Sequence, residues 1–171
     1  MIKQLILLIS LLTSITLYAS EPYLTHEQFL EKAFQANNPT AKTLWLNAQQ
    51  KEDAEEIMQH PLVLLRVRYW QYQNKSAWIL NEIGKEKPIT IGIIINGHTI
   101  ESVNILAFRE SRGWEIRYAF FTDQFKDIFL TNDIQLNKRI DGVTGATLSV
   151  SAVKRCATLA LYLAQHLTPY E

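Results

Sequence analysis

The run Asp141-Gly142-Val143-Thr144-Gly145-Ala146-Thr147-Leu148-Ser149 sets a carboxylate, two glycines and three hydroxyls directly ahead of a long apolar segment. A hydroxyl is a weak nucleophile without a base or metal to activate it. No histidine or lysine stands close to Thr147 in sequence to do so. What the spacing offers is an anion site. From Leu148 the residues suit a helix as far as Pro169, and Gly142 and Gly145 oppose helical continuation upstream, so the helix starts near Thr147. A helix start carries unpaired N–H groups and the positive end of the macrodipole, which favours a phosphate near Thr147 to Val150.

Two readings fit these residues. In one, Thr147 caps the helix, the glycines make the turn and Asp141 is an ordinary turn aspartate. In the other, a threonine hydroxyl waits at an anion-friendly site. The stretch has the shape of a P-loop without the lysine that would reach terminal phosphates, which disfavours nucleotide hydrolysis.

The rest of the chain must place this stretch. Val150, Val153, Ala157, Ala160 and Leu161 share one helical face, widened by Leu159, Leu163 and Leu167, so the helix is expected to lie buried against a sheet. Leu62 to Gln73 and Ala77 to Ile83 read as strands joined by a turn at Asn74-Lys75-Ser76. Ile89, Ile91, Ile93 and Ile95 alternate toward one face, and Val103, Ile105 and Ala107 continue on a partner strand. Asn96-Gly97 reads as a type I′ hairpin turn. Gly92, inside the strand, marks a bulge or a close backbone approach. Ser111 and Gly113 point to a tight loop, and Asp123 to Ile128 to a short helical turn.

Upstream, Thr25 and Gln28 form a capping box for a helix with Phe29, Leu30, Ala33 and Phe34 on one face, stopped at Asn37-Asn38-Pro39. Leu44-Trp45-Leu46 reads as a short strand. Asn47 caps a charged helix that ends at Pro61. The fold class expected is α+β: a mainly antiparallel sheet, a packed C-terminal helix and a helical N-terminal extension. Residues 62–171 form the main domain and 21–61 the extension.

Residues 1–20 read as a cleaved export signal. Lys3 supplies the positive end, Leu5 to Leu17 the apolar centre and Tyr18-Ala19-Ser20 the cleavage zone. The apolar run falls short of the roughly 20 residues of a membrane-spanning helix. A periplasmic or otherwise extracytoplasmic location follows as an expectation. The 171 residues carry 17 basic and 17 acidic side chains, so nothing argues for nucleic acid. Cys156 is the single cysteine and sits in the apolar segment, where a buried inert thiol is expected. His26, His60, His98 and His166 show no ligand spacing, so no metal site is expected.

"DGVTGATLS" resembles the flavinylation motif of the covalent FMN-binding domain family: an aspartate, a small residue, a variable one, Ser or Thr, then Gly-Ala-Thr. That family includes flavin-carrying subunits of the sodium-pumping NADH:quinone reductase and its ferredoxin-dependent relative. Upstream, "FRESRGWEI" supplies Glu110, Ser111 and Gly113 in the order in which the family carries a Glu-Ser or Glu-Thr turn and a glycine. The likeness runs from about Leu62 to Leu167. Where many relatives have a proline and a leucine in that loop, this chain has Arg112 and Trp114.

The resemblance implies FMN joined through a phosphoester to Thr147, with Asp141, Gly142, Thr144, Gly145, Ala146, Leu148 and Ser149 around it. Glu110, Ser111, Gly113 and Trp114 would line the flavin; Trp114, or less directly Phe108, either stacks on the ring or packs in the core. Arg112 either favours the anionic reduced flavin by its charge or forms an exposed salt bridge. It also implies a separate flavin transferase that uses FAD and a divalent metal. No acid–base pair for a substrate is visible, so an electron carrier serving an envelope redox partner, such as a membrane reductase or cytochrome, is the expected role. A flavin-dependent reductase of a small molecule, and an exported binding module without flavin, are the alternatives.

Overall fold

The computed structural model describes residues 23–63 and 65–168; the export signal read at 1–20 and the helix stop read at Pro169 lie outside them. Helix α1 (His26–Phe34) begins at Thr25, whose side chain and that of Gln28 close the expected capping box. A 3₁₀ turn, Gln35–Asn37, follows. Strand β1 (Lys42–Trp45) leads to helix α2 (Ala48–Met58), opened by a second capping box between Asn47 and Gln50. Strands β2 (Arg66–Tyr72), β3 (Lys75–Ile83), β4 (Pro88–Asn96) and β5 (Thr99–Ala107) come next. Short turns of helix then occupy Trp114–Arg117, α3 (Ala119–Thr122) and Asp123–Phe125. The helical segment here therefore starts earlier than the Asp123 to Ile128 turn read from sequence. Helix α4 (Thr147–Ala164) ends the described chain. No helix among the described residues is long and apolar enough to cross a membrane.

The five strands form one antiparallel sheet in the order β1-β2-β3-β4-β5, so the α+β class holds. Strand β4 is buried from Ile89 to Ile95 without a break, because both of its faces are covered. On one face Ile89, Ile91, Ile93 and Ile95 meet α4 through Val150, Val153, Ala157, Ala160 and Leu161. Cys156 is buried in that helix, and burial pushes its thiol pKa far up, leaving it inert. On the other face α1 sets Phe29, Ala33 and Phe34 on Ala77, Ile94 and Leu106.

Three local readings shift. The β4–β5 register pairs Asn96 with Thr99, so the loop residues are Gly97 and His98, not Asn96-Gly97. Only Gly97 has a positive φ (60°), and glycine at the first central position suits a II′ rather than a I′ turn. Likewise Tyr72 pairs with Lys75, so the β2–β3 turn is Gln73-Asn74, one step ahead of the Asn74-Lys75-Ser76 turn expected. Gly92 is not at a bulge: the register shifts fall between Thr90 and Ile91 and between Ile94 and Ile95. A Cβ there would lie 2.6–2.9 Å from three atoms of the Phe29 ring, so the close approach is by a side chain. Gly92→Ala is expected to destabilise by about 1–3 kcal/mol through overpacking. Urea denaturation checks this, and Phe29→Leu in the same chain should recover part of the loss.

Residues 42–58 share this core. Strand β1 is an edge of the sheet, Ala54 and Met58 enter the α4-side core, and the Tyr162 hydroxyl donates to Asp53 at 2.5 Å. At the end of α2, His60 and Arg155 both reach the buried carboxylate of Glu82 on β3, at 3.0 and 2.6 Å. The Pro61 carbonyl and Glu82 raise the His60 pKa. A raised folded-state pKa means stability present below the ordinary histidine value and lost as pH rises through the folded one. The gap in melting temperature between the parent and His60→Gln is therefore expected to be widest near pH 5.5 and to close above neutrality. The effect should be small, because the imidazole is 44% exposed and solvent screens it.

Candidate functional site

Val143 to Ala146 form a β-turn closed by the Ala146 N–H on the Val143 carbonyl at 2.9 Å. Gly145 stands third with φ 79°, the left-handed value that a type II turn demands there. The turn delivers the chain into α4, whose first internal bond runs from the Val150 N–H to the Ala146 carbonyl. The N–H groups of Thr147, Leu148 and Ser149 precede that bond and have no carbonyl in the helix. The position before the helix is Ala146, without a side-chain cap. Thr147 is thus the first helical residue rather than its cap, and its exposed hydroxyl makes no hydrogen bond among the described residues.

The loop Glu110–Gly113 lies across this helix start. Gly113 has φ 84°, and a Cβ on it would stand 2.9 Å from the Ala146 Cβ. Two small residues therefore let the loop sit on the turn. The adjacent Gly84 is equally confined: a Cβ there would be 3.2 Å from Glu110 Oε1 and 3.3 Å from Ser149 Oγ. Glu110 Oε1 accepts the N–H groups of Lys85, Glu86 and Lys87 at 2.7, 2.6 and 2.9 Å, which fastens the β3–β4 loop beside the helix. Partial burial works to raise the Glu110 pKa, but the three donors outweigh it and the net shift is downward.

Between loop, turn and helix lies an open cavity of about 320 Å³, bounded by Lys85, Glu86, Glu110, Ser111, Arg112, Gly145, Ala146, Thr147, Leu148 and Ser149. Ser149 is only 4% exposed, yet its hydroxyl, on the cavity wall, has no partner among the described residues. The hydroxyl opens onto the cavity rather than being sealed in the core. Together with the free N–H groups, Lys85 and Arg112, it makes a donor set suited to a phosphate. A larger cavity, about 720 Å³, opens at the other end of the sheet, between the β2–β3 and β4–β5 turns and the residues after α4, away from the motif.

Of the residues read from sequence, the fold brings Thr147, Gly145, Ala146, Leu148, Ser149, Glu110, Ser111 and Arg112 to this cavity. Gly113 supports it from behind. Asp141 and Gly142, on the approach to the turn, and Thr144, within it, are exposed and do not line the cavity. The Asp141 N–H donates to Gln124 Oε1 at 2.7 Å, while its carboxylate makes no bond that would shape the turn. Trp114 is 41% exposed and outside the wall; its ring meets Tyr118 edge-on at 5.4 Å, with the Arg117 guanidinium 4.9 Å away. Phe108 is buried in the core.

Gly84, Lys85 and Glu86 were not read as site residues. Their one sequence signal is a Gly-Lys-Glu-Lys-Pro break between two apolar strands. No group of three or more His, Cys, Asp or Glu among the described residues is placed to hold a metal ion.

No curated protein matches the chain. Residues 84–162 match the family model described as FMN-binding domain, from the β3–β4 loop beside the cavity through the Val143–Ala146 turn into α4, which bears out the resemblance to an FMN-binding domain family.

Proposed function

We propose that this chain is an exported electron carrier that holds FMN covalently through a phosphoester on Thr147 and serves an envelope redox chain. The observation that carries the reading is the state of Thr147: an unbonded hydroxyl on the first residue of α4, at the mouth of a cavity rich in phosphate donors. When bound, FMN supplies one- and two-electron chemistry. The free N–H groups of Thr147 to Ser149, the Ser149 hydroxyl, Lys85 and Arg112 would hold and neutralise its phosphate.

The attachment balances as a group transfer. The Thr147 hydroxyl gives up its proton and forms an O–P bond, the P–O–P bond of FAD breaks, and AMP leaves; nothing is oxidised or reduced. The two carboxylates on the cavity wall are already engaged, Glu110 by three backbone N–H groups and Glu86 by Lys85, so in this reading a separate transferase with a divalent metal supplies the activation. Asp141, exposed with a free carboxylate, and Gly142, where neither φ nor packing calls for glycine, suit recognition by that transferase. Co-expression with a transferase, followed by intact mass spectrometry, tests the reading. An increment of one FMN less one water supports it, and an unmodified chain sinks it. Turnover of small acceptors without a partner protein would instead favour the reductase alternative.

A further inference from the structure

Among the described residues, the second face of the sheet is only half covered. Helix α1 lies over Ala77, Ile94 and Leu106, leaving the β1–β2 end open. Thr43 pairs with Arg68 and Trp45 with Arg66, so strand alternation puts all four on this open face. A concavity of about 410 Å³ there is walled by Arg66, Arg68, Trp70, Asn81 and Thr43, with His26 at its edge. Arg109 adds a third guanidinium from the side of β4, anchored on the Pro88 carbonyl and Thr90 Oγ1 at 3.0 and 3.1 Å.

None of these three arginines meets a carboxylate among the described residues. Within the residues of strands β1, β2, β3 and β4 themselves the one acidic side chain is Glu82, turned to the opposite face and held there by Arg155 and His60. In a chain of zero net charge this is a local excess of positive charge. Trp45, 66% exposed, lies beside it with the Arg66 guanidinium 5.8 Å from its ring.

We propose that this face docks an acidic segment of a partner protein. Carboxylates seat on Arg66 and Arg68 as paired N–H···O bonds, and an apolar side chain covers Trp45. Three features favour a protein over a lipid or nucleic-acid surface. The site is concave and admits a protruding side chain, Asn81 and Thr43 add hydrogen-bonding groups inside it, and Trp and Arg are the residue types that dominate protein hot spots. The inference does not depend on flavin. Along the chain the two sites are close, since Asn81 on this wall is followed by Lys85 on the wall of the cavity just past the end of β3.

A labelled glutamate-rich peptide, followed by fluorescence anisotropy, provides the test. Binding is expected at low salt and should weaken steeply as salt screens the charges. Arg66→Glu with Arg68→Glu should weaken it by about tenfold or more. Arg66→Gln with Arg68→Gln should shift it the same way by less, and covers the case in which reversal disturbs folding. Lys138→Glu, an exposed charge reversal on a different loop, should leave it nearly unchanged. Equal weakening by Lys138→Glu would overturn the proposal, as would no peptide binding, or binding to phosphatidylglycerol vesicles or duplex DNA in place of the peptide.

Discussion

Thr147→Ala is expected to remove the FMN mass increment completely, while Thr147→Ser keeps it. A phosphoester needs a side-chain oxygen, serine retains one and alanine does not. Thr144 provides the control, being an exposed hydroxyl in the same turn but outside the cavity wall. Thr144→Ala should therefore still carry flavin. Folding is not at issue at position 147, because the side chain is exposed and neither caps the helix nor bonds to any of the described residues. Unfolding free energies of unmodified Thr147→Ala and unmodified parent should agree within about a few tenths of a kcal/mol, the scale of an exposed helix-surface change. Denatured protein in acid should fluoresce as flavin for the parent and stay dark for Thr147→Ala. Persistence of the increment in Thr147→Ala would move the bond to another hydroxyl and remove the central claim.

The start of α4 was legible because Gly142, Gly145 and the apolar periodicity that follows are local signals. Nothing distant is needed to end a turn and begin a helix there. Strand β4 was legible for a related reason: its apolar residues run unbroken, and a central strand covered on both faces shows that pattern. Register was less legible. The turns at Gly97-His98 and Gln73-Asn74 were displaced by one residue, since the pairing of whole strands fixes the loop and the glycine or asparagine only tolerates it. Helix α2 could be read from its cap, but its docking could not. Ala54, Met58 and one polar link from Asp53 to Tyr162 hold it, too sparse a pattern to show a face.

The site divides along the same line. Thr147 and Ser149 came from the motif, whereas Gly84, Lys85 and Glu86 reach the cavity only after β3 and β4 pair and Glu110 fastens the loop between them. That contact spans more than twenty residues and has no local sequence signature. Trp114 shows the reverse failure. An aromatic beside a motif reads as a ring contact, yet Tyr118 and Arg117 provide its packing.

Glu110 gives the sharpest test of how this site is assembled. Read from the motif it is a cofactor contact; in the fold one of its oxygens receives three backbone N–H groups of the loop that walls the cavity. Glu110→Ala leaves those donors to water. Charge-assisted bonds are stronger than neutral ones, but the loop is exposed and the freed groups are readily solvated, so a loss of about 2 kcal/mol is expected. For a domain of this size that corresponds to roughly 4–8 °C in melting temperature. Glu110→Gln keeps an acceptor oxygen without charge and should fall between. Because the folded-state pKa is depressed, the clasp contributes fully above the ordinary glutamate range and is lost as pH falls through the lower folded value. The stability gap between parent and Glu110→Gln should accordingly close in acid. Flavin loading should suffer more than stability. A loop displaced by about 1 Å carries Lys85 away from the helix start, and misplacements of that size can cost up to a hundredfold in rate. Under limiting transferase, attachment to Glu110→Ala should slow by at least about tenfold. An unchanged melting temperature with an altered flavin spectrum would instead make Glu110 a direct contact of the cofactor and dissolve the clasp.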